Sequence, residues 1–244
     1  MQNKTVAVLP ARYASTRFPG KPLALIAGKP MIQWTYESTK QCPEIAEVYV
    51  ATDDERIFRA VRDFGGQAVM TSPNHTTGTD RIAEAIADID CDLIVNVQGD
   101  EPLVSPKTLG QLVRAMRETG ADMGTAAVPF SVAGRDPQDP NAVKVVLDRQ
   151  GFALYFSRSL IPFVRQGGTA VEPLLHWGLY AYTRTFLQQF VSWEKGALES
   201  CEMLEQLRAL ENGARIWVLK TNERNAGVDV PEDIPHVEAL LRQR

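Results

Sequence analysis

The first part of the chain alternates between short apolar runs and segments with helical spacing. Residues 5–9 form a continuous run rich in β-branched residues that ends at Pro10, which is typical of a central strand buried on both faces of a parallel sheet. On the same pattern we predict strands at 5–9, 47–51, 67–70 and 92–97, and helices at 31–40, from about 55, at 79–88 and at 105–118. A side-chain oxygen of residues 52–54 is expected to cap the helix that begins near Glu55. The alternation predicts an open, mostly parallel sheet with helices on both faces.

The pattern changes after Met123, where turn residues separate shorter strands. We predict strands at 124–129, 142–147, 152–156 and 215–219, and helices at 184–191, 198–211 and about 231–242. The Asp and Pro residues between the first of these strands favour antiparallel or mixed pairing, and residues 162–173, which contain Gly167-Gly168, predict a loop. The chain is therefore predicted to be an α/β protein with three α/β/α layers, a mostly parallel central sheet and a smaller mixed or antiparallel region.

The composition argues against several classes of protein. The chain has 244 residues, 44% of them hydrophobic and 23% charged, with a formal net charge of −4. This charge argues against a nucleic-acid partner, and no apolar run approaches the roughly 20 residues of a membrane span. Arg12 follows the first apolar run too soon for a signal peptide, so we expect a cytoplasmic protein with no membrane partner. Cys42, Cys91 and Cys201 are far apart and form no CxxC pair, which argues against a zinc site or a disulfide framework.

The loop after the first predicted strand concentrates positive charge. Residues 10–22 contain Arg12, Arg17 and Lys21 together with the aliphatic hydroxyls of Ser15 and Thr16. Ligands of open α/β sheets bind beyond the carboxyl ends of the strands, so this loop predicts a polyanion site, with a triphosphate as the candidate ligand. A solvated basic loop is the alternative. The loop has neither the Walker A spacing nor a GxGxxG fingerprint, which argues against a P-loop NTPase and a Rossmann dehydrogenase.

The fourth predicted strand leads directly into a second polar segment. Val97 is followed by Gln98-Gly99-Asp100-Glu101-Pro102. A carboxylate at the end of one strand, facing a cationic loop on the neighbouring strand, suits a nucleotide that carries Mg²⁺. Asp100 is therefore the first candidate metal ligand, and Glu101 is expected to be structural. A helix cap or an ordinary turn aspartate is the alternative for Asp100.

Several motifs, taken in order along the whole chain, resemble those of one enzyme family. They are Pro10-Ala11-Arg12, Ser15-Thr16-Arg17, Lys21-Pro22-Leu23, Gly78-Thr79-Asp80-Arg81, and the segments 96–102, 141–146, 153–158, 202–208 and 227–233. The set resembles the CMP-Kdo synthetases, formally 3-deoxy-manno-octulosonate cytidylyltransferases. Members of that family join CMP from CTP to Kdo, an acidic eight-carbon sugar of lipopolysaccharide, and release pyrophosphate. The first motif alone indicates only the broader nucleotidyltransferase class.

The resemblance implies a single nucleotidyltransferase domain over residues 1–244, with 1–122 mainly binding CTP and about 123–215 mainly binding the sugar. It also implies a homodimer formed by this second region. The CTP-binding residues that it implies are Ala11, Arg12, Arg17, Lys21, Thr77, Gly78, Thr79 and Arg81. Arg12, Arg17 and Lys21 would hold the phosphates. The cytosine would lie near Ala11 and residues 77–79, with Arg81 close by.

The family pattern also implies the catalytic group. It implies that Asp229 lies beside Asp100 at a Mg²⁺ ion. The catalytic residues that it implies are Arg12, Lys21, Asp100 and Asp229. Without the resemblance, the Gly-Val-Asp turn before a proline would indicate a helix cap for Asp229. In this mechanism the anomeric hydroxyl of the sugar attacks the α-phosphorus in line. No side chain is an obvious general base, so the metal is expected to lower the pKa of that hydroxyl.

For the sugar, the resemblance implies binding by Gln98, Arg158, His176, Tyr180, Glu205 and Gln206. Arg158 is a natural bidentate partner for the Kdo carboxylate. From the sequence pattern alone, a structural role for His176 remains open, and so does a solvated helix face for Glu205 and Gln206.

Three alternatives stay open at this point. The same chemistry could serve a related acidic sugar such as 8-amino-Kdo or a nonulosonate, or a sugar 1-phosphate. The exact sugar is open because the segment before His176 is short and Thr183 stands where many members carry Arg. A metal-dependent glycosyltransferase could use Asp100 with a nucleotide sugar. A nucleotide sensor without catalysis could keep the same binding residues.

Overall fold

The computed structural model describes residues 4–14, 18–223 and 226–243 of the chain. Its strands are β1 (Thr5–Ala11), β2 (Leu25–Ile26), β3 (Lys29–Pro30), β4 (Glu47–Thr52), β5 (Gln67–Met70), β6 (Leu93–Asn96), β7 (Met123–Pro129), β8 (Lys144–Leu147), β9 (Ala153–Ser157), β10 (Leu174–Thr183) and β11 (Ile216–Lys220). Its helices are α1 (Met31–Lys40), α2 (Glu55–Asp63), α3 (Gly78–Ala85), α4 (Pro106–Thr119), α5 (Phe130–Ala133), α6 (Arg184–Ser192), α7 (Ala197–Glu202), α8 (Gln206–Glu211) and α9 (Ile234–Leu241).

The chain divides into two compact units. Unit 1 comprises Met1–Val113 and Asn225–Arg244, and unit 2 comprises Arg114–Arg224. The division falls within α4, so this helix begins in one unit and ends in the other.

The main sheet of unit 1 is parallel. Strand β1 lies between β6 and β4, and β5 follows β4. Residues 6–9 have no solvent exposure, as expected for a central strand covered on both faces. Val8 is opposite Asn96 and Ala11 is opposite Thr52, so the carboxyl ends of β1, β4 and β6 lie at one edge of the sheet. Strands β2 and β3 form a separate short antiparallel pair.

Local capping sets the starts of two helices in unit 1. Asp54 Oδ1 accepts a hydrogen bond from the backbone N–H of Arg56 at 2.9 Å, which confirms the predicted cap before α2. Thr77 Oγ1 accepts from the backbone N–H of Asp80 at 3.1 Å and caps α3. Each cap satisfies a backbone donor that the helix itself leaves without a partner.

Unit 2 has mixed pairing, as predicted. Strand β10 is antiparallel to β7 and β8, β8 is antiparallel to β9, and β11 is parallel to β7. The register of β10 against β7 shifts between Trp177 and Tyr180, where the strand carries an irregularity.

Several elements differ from the sequence prediction, among them the short helix α5, which was not predicted. The single helix predicted over 198–211 is wrong: α7 and α8 are separate helices, because Met203 between them adopts a left-handed conformation with φ 52°. Strand β10 was not predicted, although its aromatic and branched side chains favour a strand. The last predicted helix is a 3₁₀ turn over Pro231–Asp233 followed by α9.

The C-terminal segment packs into the core of unit 1. Val228 and Val237, which are almost fully buried, form one apolar cluster with Ile26, Met31 and Leu103. This cluster holds the backbone near residue 228 against β2 and the start of α1.

These features confirm the predicted α/β fold with a mostly parallel sheet and a smaller mixed region. Within the described ranges, no helix has the length and apolar character needed to cross a membrane.

Candidate active site

Lys21 lies between two aspartates at the carboxyl edge of the unit 1 sheet. Its ammonium is in direct contact with Asp100 Oδ2, and it lies 3.9 Å from Asp229 Oδ1. The same Nζ donates a hydrogen bond to the backbone carbonyl of Val228 at 3.0 Å. The Lys21 side chain is only 15% exposed, against 33% for Asp100 and 66% for Asp229. The structure therefore brings together three of the predicted catalytic residues, from segments that are distant in the sequence.

Gly99 allows the Asp100 segment to approach the end of β1 closely. A Cβ on Gly99 would lie 3.1 Å from the backbone oxygen of Pro10 and 3.2 Å from Cδ1 of Ile32. The backbone oxygen of Gly99 also accepts a hydrogen bond from Thr35 Oγ1 at 3.1 Å. Since a side chain at position 99 would push against β1 and α1, glycine there positions Asp100 beside Lys21.

Asp229 is positioned by two local contacts. The backbone N–H of Val228 donates to the backbone oxygen of Asp100 at 3.0 Å, which ties the two segments together. Asp233 Oδ2 accepts from the backbone N–H groups of Asp229 at 2.7 Å and Val230 at 3.0 Å. Asp233 therefore acts as the cap that sequence reasoning offered as one interpretation of Asp229.

A cavity of about 220 Å³ opens beside this cluster. Its lining residues are Pro10, Ala11, Arg12, Lys21, Pro22, Gln98, Gly99 and Asp100. Exposed Arg12 supplies a cation to the cavity beside that of Lys21. Gln98 Nε2 donates to Asn96 Oδ1 at 3.1 Å. Arg17, the third predicted phosphate-binding cation, lies outside the described residues.

The start of α3 lies next to the end of β1. A Cβ on Gly78 would be 3.3 Å from Cγ of Pro10, so the predicted cytosine-binding residues 77–79 lie near the residue that precedes Ala11. Thr77 uses its hydroxyl oxygen as the α3 cap, and Thr79 is almost fully buried.

Arg81 is turned into the protein. Its Nη1 donates to Thr71 Oγ1 at 2.6 Å, and its Nη2 lies 3.0 Å from Asp53 Oδ2. The Arg81 side chain is 5% exposed. Arg81 therefore joins α3 to the residues that follow β4 and β5, and its predicted place near the cytosine stays a prediction.

In unit 2, Arg158 lies directly after β9. Its Nε donates to the backbone oxygen of Glu202 at 2.7 Å, and its Nη1 donates to that of Pro140 at 3.0 Å. Glu202 and Lys144, which both contact the backbone of Arg158, were not identified as functional from the sequence. They belong to the motifs 141–146 and 202–208, but a sequence motif does not show which residues its members contact.

The ring of His176 packs in an aromatic row on β10. Its Nε2 lies 3.0 Å from Thr125 Oγ1, and its ring centroid lies 4.9 Å from that of Phe156 and 5.5 Å from that of Tyr180. Desolvation by these surroundings lowers the pKa of His176 to about 3, so the ring is neutral at ordinary pH.

Tyr180 and Gln206 form a pair at the start of α8. The Tyr180 hydroxyl donates to Gln206 Oε1 at 3.2 Å, and burial raises the pKa of Tyr180. Gln206 is 4% exposed, and its Nε2 has no hydrogen-bond partner among the described residues. A buried amide donor of this kind is costly unless a ligand or a water satisfies it. Glu205 precedes Gln206 at the N-cap position of α8.

In the part of the chain that the structure describes, no group of three or more His, Cys, Asp or Glu side chains could hold a metal by itself. Any metal at Asp100 and Asp229 would therefore need further ligands from a substrate or from water.

Comparisons with known proteins agree with the motifs. The Cytidylyltransferase family model matches residues 6–216. The 3-deoxy-manno-octulosonate cytidylyltransferase of Syntrophotalea carbinolica is 53% identical over 245 residues, covering 97% of this chain and 98% of the relative. The protein of the same name from Myxococcus xanthus is 50% identical over 242 residues, covering 99% of this chain and 98% of the relative.

A solved structure extends this agreement to the fold. The structure of a CMP:2-keto-3-deoxy-manno-octonic acid synthetase complexed with CTP is 42% identical to this chain, with a TM-score of 0.92. The alignment covers 98% of this chain and 99% of that chain. These matches confirm the resemblance carried by the motifs, and the chain belongs to the 3-deoxy-manno-octulosonate cytidylyltransferase family.

Proposed function

We propose that this protein transfers CMP from CTP to the anomeric hydroxyl of Kdo, giving CMP-Kdo and pyrophosphate for lipopolysaccharide synthesis. The observation that carries the proposal is the group of Lys21, Asp100 and Asp229 beside a polar cavity, in a chain of this family. In the reaction, the sugar oxygen forms a bond to the α-phosphorus while the bond to the pyrophosphate oxygen breaks. The hydroxyl proton is released to solvent.

For CTP, the charge of the cavity supports phosphate binding. Arg12 and Lys21 line it, and both cations would offset charge on the phosphates and on the leaving pyrophosphate. Arg17 completes the proposed set. Ala11 and residues 77–79 would bind the cytosine. A Cβ built on Gly78 would lie 3.3 Å from Cγ of Pro10, and this proximity supports a shared surface.

For the metal, the donor set at this edge fits Mg²⁺. Asp100 and Asp229 supply carboxylate oxygens, which are the ligands that Mg²⁺ prefers in proteins. They already hold one cation between them, the Lys21 ammonium, so the site accepts positive charge. When bound there, Mg²⁺ would neutralise phosphate charge and lower the pKa of the attacking hydroxyl. With Mg²⁺ between the two carboxylates, the Lys21 ammonium would be available to contact the phosphates.

For the sugar, unit 2 offers a cation and hydrogen-bonding groups. Arg158 would bind the Kdo carboxylate, and the Nε2 of Gln206 would donate to a sugar hydroxyl. Tyr180 and neutral His176 add further hydrogen-bonding atoms. Glu205 is a further proposed sugar-binding residue of unit 2. Gln98, which lines the cavity of unit 1, keeps the sugar-binding role implied by the family motif as a proposal.

The proposal extends to assembly and location. We infer a homodimer, because unit 2 exposes large apolar side chains, including Leu154 at 62% and Phe163 at 88%. The substrates CTP and Kdo are soluble metabolites, which supports a reaction in the cytoplasm.

Pyrophosphate release tests the reaction. Purified protein would be supplied with CTP, Mg²⁺ and Kdo, with controls that omit the sugar or the metal or replace CTP by UTP. Further arms replace Kdo by 8-amino-Kdo or sialic acid. We expect release with CTP and Kdo only. Release with another sugar alone would overturn the Kdo assignment, and no release with any sugar would reject the transferase proposal.

A further inference from the structure

Lys144 is a buried cation whose bonds all go to backbone oxygens. It begins β8 and has no solvent exposure. Its Nζ donates to the carbonyl oxygens of Asp139 at 3.0 Å, Ala142 at 2.8 Å and Arg158 at 2.5 Å. These bonds use all three donors of the ammonium. Burial of a charged side chain is costly, so this arrangement calls for a physical reason.

Glu202 holds the other side of the same peptide segment. Its Oε2 accepts from the backbone N–H of Arg158 at 2.8 Å, and its Oε1 accepts from Ser157 Oγ at 2.6 Å. The N–H and the C=O of Arg158 are therefore each bonded to a charged side chain, one from α7 and one from β8. Charge-assisted hydrogen bonds are the stronger ones, so the backbone of Arg158 is fixed at both of its polar groups.

Hydrogen bonds to backbone carbonyl oxygens orient the guanidinium of Arg158. Nε, Nη1 and Nη2 donate to the backbone oxygens of Glu202, Pro140 and Met203, at 2.7, 3.0 and 3.4 Å. A guanidinium has five N–H donors, so one donor on Nη1 and one on Nη2 remain for a ligand. Two remaining N–H donors of one guanidinium suit an anionic group such as a carboxylate.

We propose that Lys144 and Glu202 are positioning residues that fix Arg158 in place for the carboxylate of the sugar substrate. This inference rests on the proposed function, in which Arg158 binds that carboxylate. The two residues act through Arg158 and do not touch the substrate. The pKa of Lys144 is lowered, chiefly by burial and also by the charge of Arg158, while the charges of Asp139 and Glu202 offset part of this effect. The three hydrogen bonds to carbonyl oxygens favour the charged form.

The variants K144M and E202Q test this inference. Each keeps the approximate size of the side chain while removing the charge. Steady-state pyrophosphate release would give KM for Kdo and KM for CTP separately, and thermal unfolding would check that each variant is folded. We expect K144M to raise KM for Kdo at least tenfold and E202Q to raise it by three- to tenfold. KM for CTP should stay within twofold, because the positioned group contacts only the sugar.

The double variant R158M/K144M distinguishes a positioning role of Lys144 from general structural support. In R158M, the further change K144M should leave KM for Kdo unchanged, because the group that Lys144 positions is already absent. K220M, which removes an exposed lysine from β11 of the same unit, is the matched control and should behave like wild type.

Distinct outcomes overturn the two proposals. If K144M does not fold, E202Q and E202Q in the R158M background decide the question. A folded variant with unchanged KM for Kdo, an equal rise in both KM values, or a full additional effect in R158M would overturn the positioning role alone. If the wild-type protein releases no pyrophosphate from CTP and Kdo, the proposed function fails, and the inference built on it fails as well.

Discussion

At the scale of single residues, the contact between Lys21 and Asp100 places opposite charges in a partly buried setting. We expect D100N to lower kcat/KM at least about a hundredfold, because removal of a single group that stabilises charge in a transition state costs about 10²–10³ in rate. The carboxamide would keep the shape of the side chain but would weaken both the contact with Lys21 and the proposed metal ligation. Pyrophosphate release measured over a range of Mg²⁺ concentrations checks this expectation.

The variant D63N is the matched control for D100N. Asp63 is an exposed aspartate at the end of α2, so D63N removes one negative charge from the same unit without touching the cavity. D63N should retain full activity. Wild-type activity in D100N at every Mg²⁺ concentration would contradict the catalytic role of Asp100.

His176 gives the molecule a pH dependence of stability with a defined sign. Desolvation lowers its folded-state pKa to about 3, below the value near 6.5 of an unfolded histidine. Between these values the unfolded chain binds more protons, so His176 makes stability fall as pH falls from 6.5 towards 3, by at most about 1.4 kcal/mol per pH unit. Above pH 6.5 this contribution is constant.

The variant H176Q isolates the contribution of His176 to the pH dependence of stability. Urea unfolding at several pH values would compare the slopes of stability against pH, since the other titrating groups are common to both proteins. We expect a shallower slope for H176Q in the acid range. Parallel profiles for the two proteins would show that His176 is not held neutral by its surroundings.

Single residues also show how far the sequence could lead to the site. Asp100 could be predicted as a site residue, because it follows a mainly apolar strand at the edge where loops meet a parallel sheet. Asp229 could be paired with it only through the family resemblance, since folding alone brings these distant positions together. Lys144 lies in a strand pattern that does not distinguish a buried lysine from an exposed one. Its burial depends on three carbonyl oxygens whose positions the local sequence does not specify.

At the scale of elements, the close approach of the β6 loop to β1 depends on Gly99. We expect G99A to destabilise the protein by about 1–2 kcal/mol, because the added Cβ would meet the backbone oxygen of Pro10 at 3.1 Å and backbone cannot easily move away. Activity should fall as well, since Asp100 is the next residue. Urea unfolding and pyrophosphate release measure the two effects.

Gly178 in β10 is the control position for that substitution. No atom lies within 4 Å of a Cβ built there, and its φ is outside the left-handed region. G178A should be neutral or stabilising by up to about 1 kcal/mol, because alanine reduces the entropy of the unfolded chain. Equal effects of G99A and G178A would show that the contact with Pro10 is unimportant.

Elements differ in how well their patterns predict them. The continuous apolar run of β1 and the capped start of α2 have local causes, and their sequences predicted them closely. The break between α7 and α8 was not predictable, because it rests on a left-handed Met203, a conformation that the residue type does not favour. Strand β10 was missed because it carries Gly178 and several aromatic residues where no clear alternation separates core from surface positions.

At the scale of the whole molecule, the sequence does not predict which part of the chain completes unit 1. The hydrophobic pattern is read in sequence order, whereas residues 226–243 return to the core built by the first 113 residues. Burial of Val228 and Val237 against Met31 drives that return. The return brings Asp229 close to Lys21, and both residues belong to the proposed catalytic group.

The surface of unit 2 leads to a prediction about assembly. Leu154 lies on β9, which pairs with β8 alone among the described strands, and it is 62% exposed. Phe163, Val164 and Val171 are also exposed, at 88%, 46% and 58%. Large apolar side chains at and near an edge strand favour association with a second copy of the chain. We expect wild-type protein to sediment as a dimer of about 54 kDa, twice the 27.0 kDa of one chain.

The variant L154E should shift this equilibrium towards the monomer, because a buried carboxylate without a partner opposes association. L25E is the matched control, since Leu25 is 61% exposed but belongs to unit 1, and it should leave the dimer intact. Sedimentation velocity at several protein concentrations compares the three proteins. A monomeric wild type, or dissociation caused equally by both substitutions, would contradict an interface on unit 2. An L154E monomer that still releases pyrophosphate would further show that each chain carries a complete site, whereas an inactive but folded monomer would make catalysis depend on assembly.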